Sequence, residues 1–194
     1  MSYFDYRARY REGDRDALLE RFAEIRMPYA LAQSYMVGRA KCSGIVTMDD
    51  LLTVHRLCVT ENISPKALLC SGFPLFKKED DLGCKAEDAQ GLTADFVQEV
   101  NAFGRNNPMF YAAYLINGFC HISPFETENI AVACALCNGY LVSRDMPPIV
   151  FSAETMESLG DVIRRSCETE DLKELKNMVS SAAEATFSQL FTEL

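Results

Sequence analysis

The chain has 194 residues, 48% of them apolar and 24% charged, with a formal net charge of −9 at neutral pH. Such a balance suits an ordinary soluble globular protein and argues against nucleic acid or an anionic membrane as the main partner. Lys and Arg are scattered, the densest pairs being Lys77-Lys78 and Arg164-Arg165, so no basic groove is visible.

With no Gly/Ser- or Pro-rich break, residues 1–194 are expected to form one domain with a sizeable core. The N-terminal stretch Met1 to Tyr10 lacks the long apolar segment of a signal peptide, and no run is apolar for long enough to span a bilayer. The eight cysteines are spread along the chain, several in stretches that read as buried helices. That usage points to reduced, packed thiols and a cytoplasmic protein rather than a disulfide framework.

Residues 1–13 are polar and broken by Gly13, which implies a frayed or loosely docked start. From residue 14 to 37, apolar residues recur at helical spacing (Leu18, Leu19, Phe22, Ile25, Leu31, Tyr35, Met36), with Pro28 kinking or splitting the element. Gly38 to Gly44 reads as a loop. Thr47 followed by Asp49-Asp50 is a helix start, and Leu51, Leu52, Val54, His55 and Leu57 carry that helix to about Thr60. Residues 61–91 are irregular in pattern, and Leu68, Leu69, Phe73, Leu75 and Phe76 suggest a short β-hairpin or flap. Thr93 is expected to cap the next helix and Gly104 to end it, after which Asn106-Asn107-Pro108 turns the chain.

The stretch from Ala112 to Phe151 organises the rest. It reads as two apolar helices joined by a polar elbow, Ser123-Pro124-Phe125-Glu126-Thr127-Glu128-Asn129. The second helix, about 130–142, is apolar on nearly every face and must therefore be enclosed by protein. Pro124 ends the first helix, and Pro147-Pro148 holds the exit of the second extended. The elbow thus sits over the N-terminus of a buried helix, where unpaired N–H groups and the dipole favour an anion. Ser152 is then expected to cap a helix through Ile163, and Thr169 a last helix through Phe191. Periodicity therefore predicts an all-α protein of about seven helices.

Ile122-Ser123-Pro124-Phe125, Asn129 and Pro147-Pro148-Ile149 resemble the core motif of the Fic/Doc (fido) family. In that family a helix ends in Ile-His-Pro-Phe and continues through an acidic residue, Gly-Asn-Gly-Arg and a second Arg into a buried helix. Thr47 to His55 resembles the family's helix ahead of the flap, and Ser71-Gly72-Phe73 the flap itself. The resemblance covers about residues 30–165 and implies a Fic-like all-α core, with a helix at 14–37 and helices at 152–192 packed on it. Family members typically transfer AMP from ATP to a hydroxyl of a target protein, some using other phosphate-containing donors.

By the same resemblance, Ser123 stands at the general-base position, Thr127 at that of the Mg²⁺-binding acid, and Asn129 on the family's Asn. Glu128 and Ile130 replace the two phosphate-cradling glycines, Ala131 and Cys134 the two arginines, and Pro74 the flap arginine. A serine hydroxyl cannot take up a proton near neutral pH as imidazole can, and nothing cationic remains in the motif to hold a triphosphate. Loss of the base alone corresponds to about 10²–10⁴-fold in rate.

The resemblance therefore implies a degenerate Fic domain, silent for AMP transfer and serving as a binding or regulatory module. Its ligand-contacting candidates are Ser123, Pro124, Phe125, Glu126, Glu128, Asn129, Gly72 and Phe73. The alternatives are a divergent transferase of a nucleotide or other phosphate-containing donor, for which ATP and Mg²⁺ would be the cofactors, or a structural partner of an active Fic protein. A protein partner is expected, with a homo-oligomer left open, and no metal site is assigned.

Other residues read more plainly. His121 lies two residues before Ser123, so on a helix it points about 200° away and reads as a helix-end or surface histidine. Cys134 and Cys137 form a C-x-x-C without a second pair and read as packed thiols. His55 reads as a hydrogen-bonded structural histidine. Ser180 to Ala185 is close to the family's inhibitory helix, in which Glu184 would meet an arginine. Cys134 stands at that arginine's position, so Glu184 reads as part of a solvated face. In the N-terminal version of that motif, Val37 beside Gly38 would stand at the glutamate's position.

Overall fold

The computed structural model describes residues 8, 10, 15–43, 45–62, 83–104 and 106–191. They form eight α-helices and no strand: α1 Arg15–Glu24, α2 Ala30–Ser43, α3 Met48–Asn62, α4 Ala89–Ala102, α5 Pro108–Ile122, α6 Asn129–Ser143, α7 Ala153–Thr169 and α8 Lys173–Phe191. The hairpin expected around residues 66–80, with Gly72 and Phe73, lies outside the described residues.

Every residue of α6 from Ala131 to Val142 is buried. The all-apolar pattern of this helix is thus explained by enclosure: α2 and α5 pack most extensively against it, joined by α3 and α7. A smaller cluster of Leu18, Leu19 and Phe22 from α1, with Tyr10, Val142 and Leu190, closes over the C-terminal end of α6. Tyr10 is only 1% exposed, so at that position the N-terminal segment is docked rather than frayed.

Local chemistry accounts for most boundaries. Pro28 splits the first expected helix in two, and Tyr29 takes a left-handed conformation (φ 57°) between the halves. This split makes eight helices where about seven were expected. At α3, Thr47 Oγ1 accepts the Asp50 N–H at 3.1 Å while Asp50 Oδ2 accepts the Thr47 N–H at 3.0 Å, a reciprocal cap. Ser152 Oγ accepts the Thr155 N–H at 3.1 Å and starts α7. Asn107 (φ 51°) leads into α5, with Pro108 in its first turn.

Three expectations are corrected. Residues 38–43 continue α2 rather than forming a loop, because Val37 and Ala40 stay on the buried face and Gly38 faces open space. A glycine there costs only about 1 kcal/mol of helix propensity. Thr93 does not cap α4, which already begins at Ala89; its buried hydroxyl donates back to the Ala89 carbonyl at 2.6 Å. Thr169 is the last residue of α7 rather than the cap of α8, its hydroxyl donating to the Arg165 carbonyl at 2.8 Å. The start of α8 is instead served by Asp171 Oδ1, which accepts the Lys173 N–H at 2.8 Å.

Candidate functional site

The elbow joins the C-terminus of α5 to the N-terminus of α6, and two left-handed residues shape it. Ser123 (φ 44°, ψ 60°) ends α5, its N–H donating to the Phe119 carbonyl at 2.9 Å. Glu128 (φ 65°, ψ 15°) precedes α6. Glu128 stands where the resemblance has a glycine, and its left-handed bend carries a side chain, at about 1–2 kcal/mol of strain. Ile130 has no such bend, being already inside α6.

Between these residues the polar groups are turned inward. The Ser123 hydroxyl donates to the Cys120 carbonyl at 2.5 Å. Asn129 brackets a single residue of the elbow: its Oδ1 accepts the Phe125 N–H at 3.0 Å, and its Nδ2 donates to the Phe125 carbonyl at 2.8 Å. Pro124 and Phe125 are buried, Phe125 at 2% exposure, while Glu126 and Thr127 face solvent. Glu128 and Asn129 are half-buried. The positions that the resemblance assigns to the family's arginines are closed: Ala131 is 1% and Cys134 0% exposed, and Cys134 Sγ lies 3.6 Å from Met156 Sδ.

Burial pushes the thiols of Cys134 and Cys137 well up, so both stay protonated and act as packing groups. Among the described residues no three His, Cys, Asp or Glu side chains converge as a metal site. His121 is exposed in the last turn of α5, and Glu184 is exposed on α8.

One residue at the elbow was not assigned to it from the sequence. The His55 ring, from α3, stacks on Phe125 with centroids 4.0 Å apart and planes 9° from parallel. It is 3% exposed, with the Thr127 main chain as the polar group beside the ring. Burial lowers its pKa below the ordinary histidine value, outweighing the Thr127 main chain and the Glu128 carboxylate, which both favour the charged form. The resemblance placed His55 only on the helix ahead of the flap, and periodicity placed it on a buried face. Neither could show that this face meets Phe125, some seventy residues on in the chain.

The elbow is further tied by the segment that enters α4. The Cys84 N–H donates to the Ile122 carbonyl at 3.0 Å, and Gly83 (φ 69°) passes so close that an added Cβ would overlap that carbonyl oxygen. At the other end of α6, a cleft of about 550 Å³ is lined by Arg26, Met27, Val150, Ser152 and Gln189, apart from the elbow.

A buried apolar helix entered through this elbow and enclosed by helical neighbours forms the centre of the fold. Solved structures share this fold. A fragment of Fic-1 from C. elegans matches at a TM-score of 0.64 and 17% identity, over 86% of this chain and 51% of that one. A glutamate-to-glycine variant of the same fragment matches at 0.69 and 15%, over 98% and 70%. A Fic-domain-containing signalling protein from Bacteroides thetaiotaomicron matches at 0.62 and 16%, over 84% and 68%. The chain spans about half the length of the first of these. No protein-family model and no curated protein matches at the level of sequence. The likeness is therefore one of fold, and the chain has the Fic fold.

Proposed function

We propose that this protein is a Fic-fold binding module in which the elbow serves as a shaped surface and does not carry AMP transfer. The observation behind this is that groups which would meet a nucleotide are engaged within the elbow itself. Ser123 donates to Cys120, Asn129 is bracketed on Phe125, and the arginine positions hold Ala131 and Cys134 inside the core. Phosphate-transfer catalysis rests on positioned charge, so an elbow without such a clamp has little to offer a triphosphate. A protein is the occupant this reading favours, meeting the elbow's solvent-facing edge of Glu126, Thr127 and half-buried Glu128. The test is an AMP-transfer assay with labelled ATP and Mg²⁺ on a mixed protein acceptor. No incorporation above background is expected; incorporation that Ser123→Ala abolishes would overturn the proposal.

One observation favours a second reading. Glu128 keeps the left-handed bend at a glycine position of the family pattern, so the main-chain path into α6 is retained, and α6 still directs its N-terminus at the elbow. A divergent transferase could use that path with Glu126 or Glu128 holding Mg²⁺ and an unfamiliar phosphate-containing donor. This reading requires saturable donor binding that Glu126→Gln or Glu128→Gln removes, and it fails if a donor panel shows none.

A further inference from the structure

Three segments far apart in the chain converge on the cleft of about 550 Å³. Arg26 and Met27 come from the turn between α1 and α2, Val150 and Ser152 from the stretch that enters α7, and Gln189 from α8. The volume falls within the about 300–1,000 Å³ usual for small-molecule sites. The walls are largely apolar, Ile25, Met27 and Val150 among them.

Arg26 is the single charged residue of the lining, and no acidic side chain joins it there. The other arginines of α1 are engaged: Arg21 donates to the Leu190 carbonyl at 3.0 Å, and Arg15 pairs with Asp145 at 3.3 Å. Among the described residues Arg26 has no such partner. The Ser152 hydroxyl is committed to the Thr155 N–H at 3.1 Å. Arg26 and the Gln189 side-chain amide are therefore the polar groups left to meet a ligand.

In a chain of net charge −9, a cleft whose only charge is positive selects against cations locally. A guanidinium offers two parallel N–H donors to a carboxylate, and beside apolar walls that attraction is screened less than on an open surface. One cation matches one negative charge, so a polyanion would be left largely uncompensated. The apolar walls, in turn, gain only from a ligand that carries hydrocarbon.

We propose that this cleft binds a small monocarboxylate with an apolar body. The carboxylate lies on the Arg26 guanidinium, within reach of the Gln189 amide, and the hydrocarbon lies against Ile25, Met27 and Val150. Arg26 selects the charge and the walls select the body. The site is apart from the elbow, so it stands whether or not the elbow binds a protein.

Hexanoate is the probe, titrated into isotope-labelled protein and followed by NMR. Hexylammonium, with the same chain and the opposite charge, and acetate, with the same charge and almost no chain, are run beside it. Hexanoate should shift the Arg26 and Gln189 side-chain signals and the Ala153 amide saturably at millimolar concentration or below. Acetate should bind at least about tenfold more weakly, and hexylammonium should leave these signals in place. Arg26→Gln, a change at an exposed side chain, should weaken hexanoate binding by about tenfold. Undiminished binding in Arg26→Gln, equal binding of hexylammonium, or no saturation with millimolar hexanoate would overturn the proposal. Shifts confined to residues 123–130 would also overturn it, because they would put the anion at the elbow.

Discussion

Two asparagines hold the ends of α6 by the same device. Asn129 brackets the N–H and carbonyl of Phe125 where the chain enters, and Asn138 brackets those of Ile149 where it leaves, at 2.7 and 2.9 Å. Asn138 also donates to Gln33 Oε1 of α2 at 2.8 Å and is fully buried. A buried polar group left without its partner costs about 1–3 kcal/mol. Asn138→Ala strands the Ile149 main chain and the Gln33 side chain together, so it should destabilise the protein by about 2–4 kcal/mol. Asn129→Ala, at a half-buried site that water can reach, should cost about 1–2 kcal/mol. Urea unfolding of the two variants checks both the sizes and their order. Asn129 could be placed from the family pattern, whereas Asn138 could not, because one polar residue in an apolar helix does not say which main-chain segment it meets.

At the scale of elements, the sequence carried the signals that act locally and obscured those decided by packing. Thr47 with Asp50 and Ser152 with Thr155 are caps in which a side chain and a nearby N–H meet across a few residues, so spacing alone finds them. Thr93 and Thr169 are the same residue type in the opposite role, each donating to the carbonyl four residues back within a helix. Local sequence does not separate the two cases; burial of Thr93 and the length of α7 do. Gly38 misled for a similar reason, since a glycine facing open space ends a helix only when the flanking residues have nothing to bury. Gly83 is the reverse case, a glycine that packing demands. With φ at 69° and the Ile122 carbonyl against it, Gly83→Ala must both strain the backbone and push the α4 entry segment away from the elbow. The expected cost is about 2–4 kcal/mol. Thermal unfolding with amide exchange at Cys84 should show a lowered midpoint and lost protection, and an unchanged midpoint would refute the close approach.

For the molecule as a whole, hydropathy of a single segment already pointed to the architecture, since a helix apolar on all faces can only be the centre of a helical assembly. The Fic resemblance supplied the arrangement around that helix, and the fold agrees with solved Fic-domain proteins at TM-scores of 0.62 to 0.69. No helix among the described residues is long and apolar enough to cross a membrane. The elbow takes its shape from Pro124, Phe125, Asn129 and the bend at Glu128, while the resemblance alone puts Ser123, Thr127, Ala131 and Cys134 at the family's base, metal and arginine positions. Shape and charge are separable here because hydrogen bonds within the loop and the core under Phe125 set the path, whereas anion affinity needs cations that the path does not require.

The most direct measurement of that separation is a calorimetric titration of the protein with ATP, with and without Mg²⁺. An elbow that keeps its fold but not its phosphate clamp should give no saturable heat at millimolar nucleotide. Saturable, Mg²⁺-dependent binding that Glu128→Gln or Asn129→Ala removes would show that a phosphate site persists at the N-terminus of α6, and would contradict the account.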